Sequence, residues 1–414
     1  MKKKLAIDGG TPARKTPFPP RIIFDNREKQ AALRVINKTM TGPEALDLFG
    51  QGEEIEAYKK EFASFFGVKY ATPTSSGTAA IHTALASLRL EPGAEVITTP
   101  ITDPGTVAPI LMQNCIPVFA DVDYDTMNIN AGTIKKKITR KTKVIIAVHL
   151  AGQPCDMDPI MELAKKYRIM VIEDCAQAHG SKYKGKYAGS IGHIGTFSLM
   201  GSKQTTSGGQ GGMVITNNEE IYWNAKRFAD RGKPFNSKNP TNLFLGMNYR
   251  MTELQAAIGR VQLKKLKKQA EVMQETFKKI KNEIEMLKVI RPWKIIDSVV
   301  VNPWFCLLFY NSNTGMDKDT FVKTINAEGI PLRKHYTSVI YNQTWIKEKN
   351  TYGNSHYPWT APTGRWIDYN NSCPNAERAL ADCMTLHIHE GWKNKEINDT
   401  IKAFKKVEKC YEKA

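Results

Sequence analysis

Lys203 stands in the run Phe197-Ser198-Leu199-Met200-Gly201-Ser202-Lys203, with Ser207-Gly208-Gly209-Gln210-Gly211-Gly212 close behind. A lysine among small residues, ahead of a glycine-rich turn, suits a nucleophilic amine in a tight site. Such an amine forms Schiff bases when desolvation or neighbouring cations lower its pKa. A second run, Glu173-Asp174-Cys175-Ala176-Gln177-Ala178-His179-Gly180, closes an apolar stretch. A carboxylate buried at a strand end is costly without a cationic partner. A protonated ring nitrogen is one such partner, and a carboxylate beside it would keep the ring able to accept electrons from a carbanion. For an isolated aspartate, a helix cap or a structural salt bridge is the plainer reading. The third feature is Ser76-Gly77-Thr78 at a strand-to-helix turn. Free N–H groups at a helix start, with small side chains allowing close approach, make a phosphate cradle. Alone this signal is weak, because many such turns bind nothing.

Other cofactor motifs fail. The run Gly208-Gly209-Gln210-Gly211-Gly212 lacks GxGxxG spacing and leads into a strand rather than a helix. There is no GxxxxGK[ST] and no metal-spaced His/Cys set.

The elements that must position these residues alternate. Helical stripes are expected at Glu53–Phe66, Ala79–Leu88, Val107–Met112 and Pro159–Tyr167, the last capped by Asp158. Strands are expected at Val68–Ala71, Glu95–Thr99, Pro117–Val122, Lys143–Leu150, Ile169–Asp174, Gly195–Leu199 and Met213–Thr216. Strands alternating with helices predict a mostly parallel sheet covered on both faces, with ligands outside the carboxyl ends of the strands. Asp174 falls at one such end and Ser76-Gly77-Thr78 at another. After about residue 250, Leu266, Ala270, Met273, Phe277, Ile280, Ile284 and Leu287 keep the spacing of a long amphipathic helix. A strand (Trp304–Tyr310) and helices (Lys318–Ala327, Glu396–Glu412) complete a smaller α+β unit.

With 414 residues, two domains are the starting expectation. Residues 1–26, punctuated by Pro12, Pro17, Pro19 and Pro20, read as an arm laid over the body. The net charge of +18 raises the question of an anionic partner. The lysines are dispersed, though, and Lys264, Lys265, Lys267 and Lys268 read as one solvated helix face, so no nucleic acid is expected. Seven cysteines without a CxxC pair point to reduced thiols and a cytoplasmic setting. The basic start Met1-Lys2-Lys3-Lys4 has no apolar run behind it, against a signal peptide, and no stretch approaches a membrane span.

The stretch EDCAQAHGSKYKGKYAGSIG…FSLMGSKQTTSGGQGGMV resembles the DegT-type sugar aminotransferases, and the resemblance runs from about Gly9 to the C-terminal helix. It implies the type I fold of pyridoxal-phosphate enzymes: an α/β large domain (27–250) with a mostly parallel seven-stranded sheet, and a smaller C-terminal α+β domain (251–414) after the arm. It implies pyridoxal 5'-phosphate as cofactor. Lys203 matches the lysine that anchors it and shuttles protons, Asp174 the partner of the pyridine nitrogen and Gln177 the residue facing the ring hydroxyl. Ser76, Gly77, Thr78 and Ser198 match the phosphate site. Asn248 matches an asparagine that reaches the neighbouring subunit's cofactor, which implies a homodimer with shared active sites. The implied reaction moves an amino group from glutamate or glutamine to a keto-sugar or ketocyclitol. Arg250, two residues beyond Asn248, is a candidate for the donor's carboxylate, with Arg231 and His335 next.

Many members carry T-P-x-x-T-[FW] after the second strand, the aromatic stacking on the cofactor ring; here Thr99-Pro100-Ile101-Thr102-Asp103-Pro104-Gly105 has none. Two other readings of the scaffold stand beside the transaminase. Deoxysugar dehydratases resemble it but with His at the anchoring position, and a non-catalytic regulator would be expected to lack Lys203 or Asp174.

Overall fold

The computed structural model describes residues 4–40, 42, 52–311 and 317–411. Residues 1–3 of the expected arm and Glu412 of the expected last helix lie outside the described residues. A seven-stranded sheet forms the centre. Its strands are β1 (Tyr70–Thr74), β2 (Glu95–Thr98), β3 (Ile116–Phe119), β4 (Thr142–Val148), β5 (Met170–Asp174), β8 (Ile194–Ser198) and β9 (Gly212–Thr216). The order is β1-β9-β8-β5-β4-β2-β3. Only β9 runs against its neighbours; β8, β5, β4, β2 and β3 pair in parallel. Between β5 and β8, the short strands β6 (Lys182–Tyr183) and β7 (Lys186–Tyr187) pair with β11 (Val299–Val300) in a sheet of three.

Strand alternation explains why the apolar runs are unbroken. Along β4, Ile145 and Ala147 face one core while Val144, Ile146 and Val148 face the other. Helices α2 (Glu53–Phe66), α3 (Gly77–Ser87), α4 (Pro104–Met112), α5 (Ala131–Lys135), α6 (Met157–Tyr167) and α7 (Glu219–Phe228) accompany the sheet, while α1 (Asn26–Thr39) packs instead on the long helix that follows them. The helix α2 has the expected limits and buries Ile55, Tyr58, Phe62 and Phe66, with Phe65 half-buried. The cap of α6 differs from expectation. Asp156 occupies the N-cap position without capping, because its carboxylate accepts from the Tyr183 hydroxyl (2.6 Å). Asp158 lies in the first turn and pairs with Lys184 (2.6 Å).

The long helix α8 spans Glu253–Ile284. Its first half, through Ala256, Leu263 and Leu266, packs on Ile55 and Phe62 of α2. Its second half, through Met273, Phe277, Ile280 and Ile284, packs with Trp293 and the C-terminal residues. Lys265 is not on the solvated face. It turns inward to Asp25 (3.0 Å) and Glu28 (2.5 Å), where α1 lies against α8. A four-stranded antiparallel sheet follows, made of β10 (Ile290–Pro292), β12 (Cys306–Tyr310), β13 (Leu332–Arg333) and β14 (Cys383–Leu386) in the order β10-β12-β14-β13. The helices α9 (Lys318–Ala327), α10 (Thr344–Lys347), α11 (Pro374–Asp382) and α12 (Asn394–Tyr411) accompany it. No described helix is long and apolar enough to cross a membrane.

Candidate active site

Three strand ends meet on one side of the large sheet. β1 runs into Ser76, whose hydroxyl caps α3 by accepting from the Ala79 N–H (3.1 Å). The N–H groups of Gly77 and Thr78, in the first turn, have no protein partner among the described residues. Glycine is required at 77 by contact. A Cβ there would stand 2.6 Å from Ser198 Cβ, so the start of α3 lies directly against the end of β8. Gly105 of α4 is equally close, its would-be Cβ 2.6 Å from Thr78 Oγ1. The bare start of α3 and the Ser198 hydroxyl therefore converge on one anion-friendly spot, whereas the start of α4 is capped by the Asp103 carboxylate, which accepts from the Gly105 N–H (2.8 Å).

Asp174 ends β5 and is 3% exposed. Its carboxylate accepts from Thr106 Oγ1 (2.8 Å) and the Ala176 N–H (3.0 Å). Burial raises its pKa above the usual carboxylate range, opposed by those two bonds and by the charge of Lys203. Lys203 lies across the cavity, 7% exposed. Burial lowers its pKa to about 8, against the pull of Asp174 and Asp103. Its Nζ sits over the Trp304 ring, 3.6 Å from the centroid. The Gln177 side chain accepts from the Ala151 N–H (2.8 Å) and donates to the Tyr336 hydroxyl (2.9 Å).

Ser76, Gly77, Thr78, Asp174, Gln177, Ser198 and Lys203 line one cavity of about 180 Å³. Asp103, Thr106, Trp304 and Tyr336 line it too, and sequence reading passed over all four. Asp103-Pro104 carried a usable signal, an N-cap residue before a proline at the first helical position, which would have moved the start of α4 back from Val107. No local pattern marks Trp304 or Tyr336. They supply the cavity with the aromatic surface that the segment 99–105 lacks.

Behind Asp174, on the opposite side of β5, Glu173 is fully buried. It accepts from His149 Nε2 (2.9 Å) and from the N–H groups of Gly189 (2.8 Å), Ile191 (2.7 Å) and Gly192 (2.6 Å). His149 Nδ1 accepts from the Cys155 N–H (3.1 Å), so the ring proton sits on Nε2. His149, Glu173 and Cys175 cluster within 4.8 Å. In this structure the carboxylate holds the 189–192 turn and steadies the strand end that carries Asp174.

The remaining candidates lie outside this cavity in their own chain. Asn248 bridges Asp230 through the backbone, and its side chain accepts from Arg250 Nε (3.2 Å). Arg231 and Lys233 pair with Asp230 at 3.1 and 3.0 Å, and Arg250 approaches it at 3.8 Å. His335 lines a neighbouring cleft of about 570 Å³ with Arg333 and His387, and Trp304 and Tyr336 form the shared wall.

The donor set fits one cofactor. Unpaired N–H groups and a hydroxyl suit a phosphate, a buried carboxylate suits a pyridinium nitrogen, and an amine of lowered pKa suits an aldehyde. Fold and site together define a pyridoxal-phosphate-dependent aminotransferase. Comparison with known proteins places it further: the chain belongs to the DegT/DnrJ/EryC1/StrS aminotransferase family, whose sequence model matches residues 36–405. GDP-perosamine synthase from Escherichia coli O157:H7 is 45% identical over 213 residues, 51% of this chain and 58% of that protein. The match thus spans little more than half of that relative. A putative L-glutamine:3-amino-2,3-dideoxy-scyllo-inosose aminotransferase from Streptoalloteichus tenebrarius is 29% identical over 379 residues, 86% of this chain and 88% of that one. Among solved structures, the aminotransferase from Psychrobacter cryohalolentis superposes with a TM-score of 0.83 at 32% identity, covering 94% of this chain and 98% of that one.

Proposed function

We propose that this chain transfers an amino group from glutamate or glutamine to the carbonyl of a keto-sugar or ketocyclitol. The carrying observation is Lys203, lowered to about 8 by burial, in one cavity with Asp174 and the bare start of α3. Pyridoxal phosphate, when bound, supplies the electron sink. Gly77, Thr78 and Ser198 would hold its phosphate, and Asp174 would keep its ring nitrogen protonated. Lys203 would anchor it and, as base and then acid, would carry the proton released at the donor's Cα. The same groups return the proton in the second half-reaction. The choice of acceptor class rests on the two relatives named above, one acting on a nucleotide-linked sugar and one on a cyclitol.

The proposed assembly is a homodimer with shared sites. Asn248 and Arg250 lie outside their own cavity and follow a segment exposing Leu245 (88%) and Met247 (38%). In the partner's site, Asn248 would meet the phosphate and Arg250 the donor's carboxylate. The arm (1–26), the large domain (27–250) and the small domain (251–414) remain our division of the chain. The proposed setting is the cytoplasm, supported by six buried, unpaired cysteines.

The test is direct. Purified protein supplied with pyridoxal phosphate is expected to be yellow and to transaminate a member of a panel of keto-sugars and ketocyclitols, with labelled glutamate or glutamine as donor. Lys203→Ala is expected to fold and to lose both the absorbance band and the activity. Full activity in that variant would overturn the reading.

A further inference from the structure

The turn that carries Lys203 belongs to no helix or strand. After β8 the chain closes on itself through Lys203 N–H to Met200 O (3.0 Å), Gly201 N–H to Gly209 O (2.9 Å) and Ser207 N–H to Leu199 O (3.1 Å). These bonds leave the carbonyls of Ser202 and Lys203 pointing out of the turn. Both are met by one side chain from the other end of the sequence. Arg21 Nη1 donates to Ser202 O (2.8 Å) and Nη2 donates to Lys203 O (3.0 Å). Its Nε donates to both oxygens of Glu390 (3.1 Å each), in the loop between β14 and α12. Among the described residues, the only other donor to these carbonyls is Trp304 Nε1, to Ser202 O (3.2 Å). The arm is tied down beside the fork, where the His389 ring meets Pro19 O (3.0 Å).

We propose that Arg21 is a positioning residue for the transamination: its guanidinium, oriented by Glu390, fixes the backbone of the Lys203 turn and so the reach of the Lys203 amine. The inference rests on the reading of Lys203 as anchor and proton carrier. A planar fork suits this task and an ammonium does not. Three N–H vectors in one plane hold two carbonyls and a carboxylate at once, whereas a lysine offers a single point charge on a flexible stem. The position of the amine matters because it must serve two carbon atoms in turn, and a displacement of about 1 Å in such geometry costs roughly 10²-fold in rate. Arg21 does not line the cavity that holds the other cofactor residues; it lines the neighbouring cleft with His335. Its contact with Lys203 is to the backbone carbonyl, so an unchanged donor KM separates positioning from a contact made in that cleft.

The experiment compares holoenzyme of the wild type, Arg21→Ala, Arg21→Lys, Glu390→Gln and the Arg21→Ala/Glu390→Gln double variant. Two readouts are used: steady-state kinetics, and hydrogen exchange of the amides in 199–211. For Arg21→Ala we expect kcat to fall ~10-fold or more with the donor KM changed by less than about 3-fold, the pattern of lost positioning rather than lost binding. Exchange in 199–211 is expected to speed up while β5 and α3 are unchanged. Arg21→Lys is expected to recover little of the kcat. Glu390→Gln is expected to move both readouts in the same direction by less, and it carries the test should Arg21→Ala not fold. Because Glu390 acts through Arg21, the double variant is expected to be no worse than Arg21→Ala. The inference is overturned if exchange in 199–211 stays at the wild-type rate, if kcat stays within about 2-fold, or if the two losses add in full. A wild type without transaminase activity would instead refute the reading of the function, and the exchange comparison would still decide what Arg21 holds.

Discussion

Lys203 is caught between burial, which favours its neutral amine, and the carboxylates of Asp174 and Asp103, which favour the ammonium; burial wins, and the group titrates at about 8. The amine is the reactive form. In cofactor-free protein, capture of an aldehyde should therefore speed up ~10-fold per pH unit below the midpoint and level off above it. Asp103→Asn removes one of the two carboxylates, so its midpoint is expected lower than that of the wild type. A midpoint at the ordinary lysine value of 10.5, or one indifferent to Asp103, would contradict this balance. Asp174→Asn keeps the shape and removes the charge. The expected loss is ~10²-fold or more in rate, with weaker effects on cofactor binding, the scale of losing one positioned electrostatic partner. A near wild-type rate in that variant would make Asp174 merely structural.

At the scale of elements, the decisive contact is between the start of α3 and the end of β8. Gly77→Ala would press a methyl to 2.6 Å from Ser198 Cβ, so one of the two elements must move. Such overpacking costs about 1–3 kcal/mol. It falls at the proposed phosphate site, so the cofactor dissociation constant is expected to rise ~10-fold or more while far-ultraviolet dichroism is unchanged. Unaltered cofactor affinity would show that the phosphate is held elsewhere. The same kind of contact explains what sequence periodicity read poorly. The apolar stripe of α8 is legible from Leu266 onward, yet the helix starts at Glu253. Its first turns approach α2 so closely that Gly259 sits where a Cβ would stand 2.7 Å from the Tyr58 ring. Small residues at a close crossing leave no apolar stripe to count. The helix α1 was missed for a related reason: it buries Glu28 with Ala31 and Val35 and meets α8 partly through charge, by Lys265. By contrast, α9 and α2, whose stripes face ordinary cores, were legible to their ends.

At the scale of the molecule, the proposed shared site makes a prediction no single chain can satisfy. An inactive Lys203→Ala protein mixed with an inactive variant carrying a disruptive Asn248 change should regain activity on subunit exchange. Each mixed dimer would hold one doubly damaged site and one intact site. Exchange without recovery would mean that each subunit completes its own site. The sequence by itself determined the parts whose physics is local. These are the alternating strands, the carboxylate at the end of an apolar run, the small residues around Lys203 and the bare helix start at Gly77, each legible because period and turn chemistry are properties of neighbouring residues. Only the tertiary structure decided what closes the site: Trp304 under the amine, Tyr336 on Gln177, and Arg21 joined to Glu390 across 369 residues. A hydrogen bond between distant segments leaves no spacing in the chain, because its geometry is set by how the sheets and the long helix pack, not by the residues on either side of it.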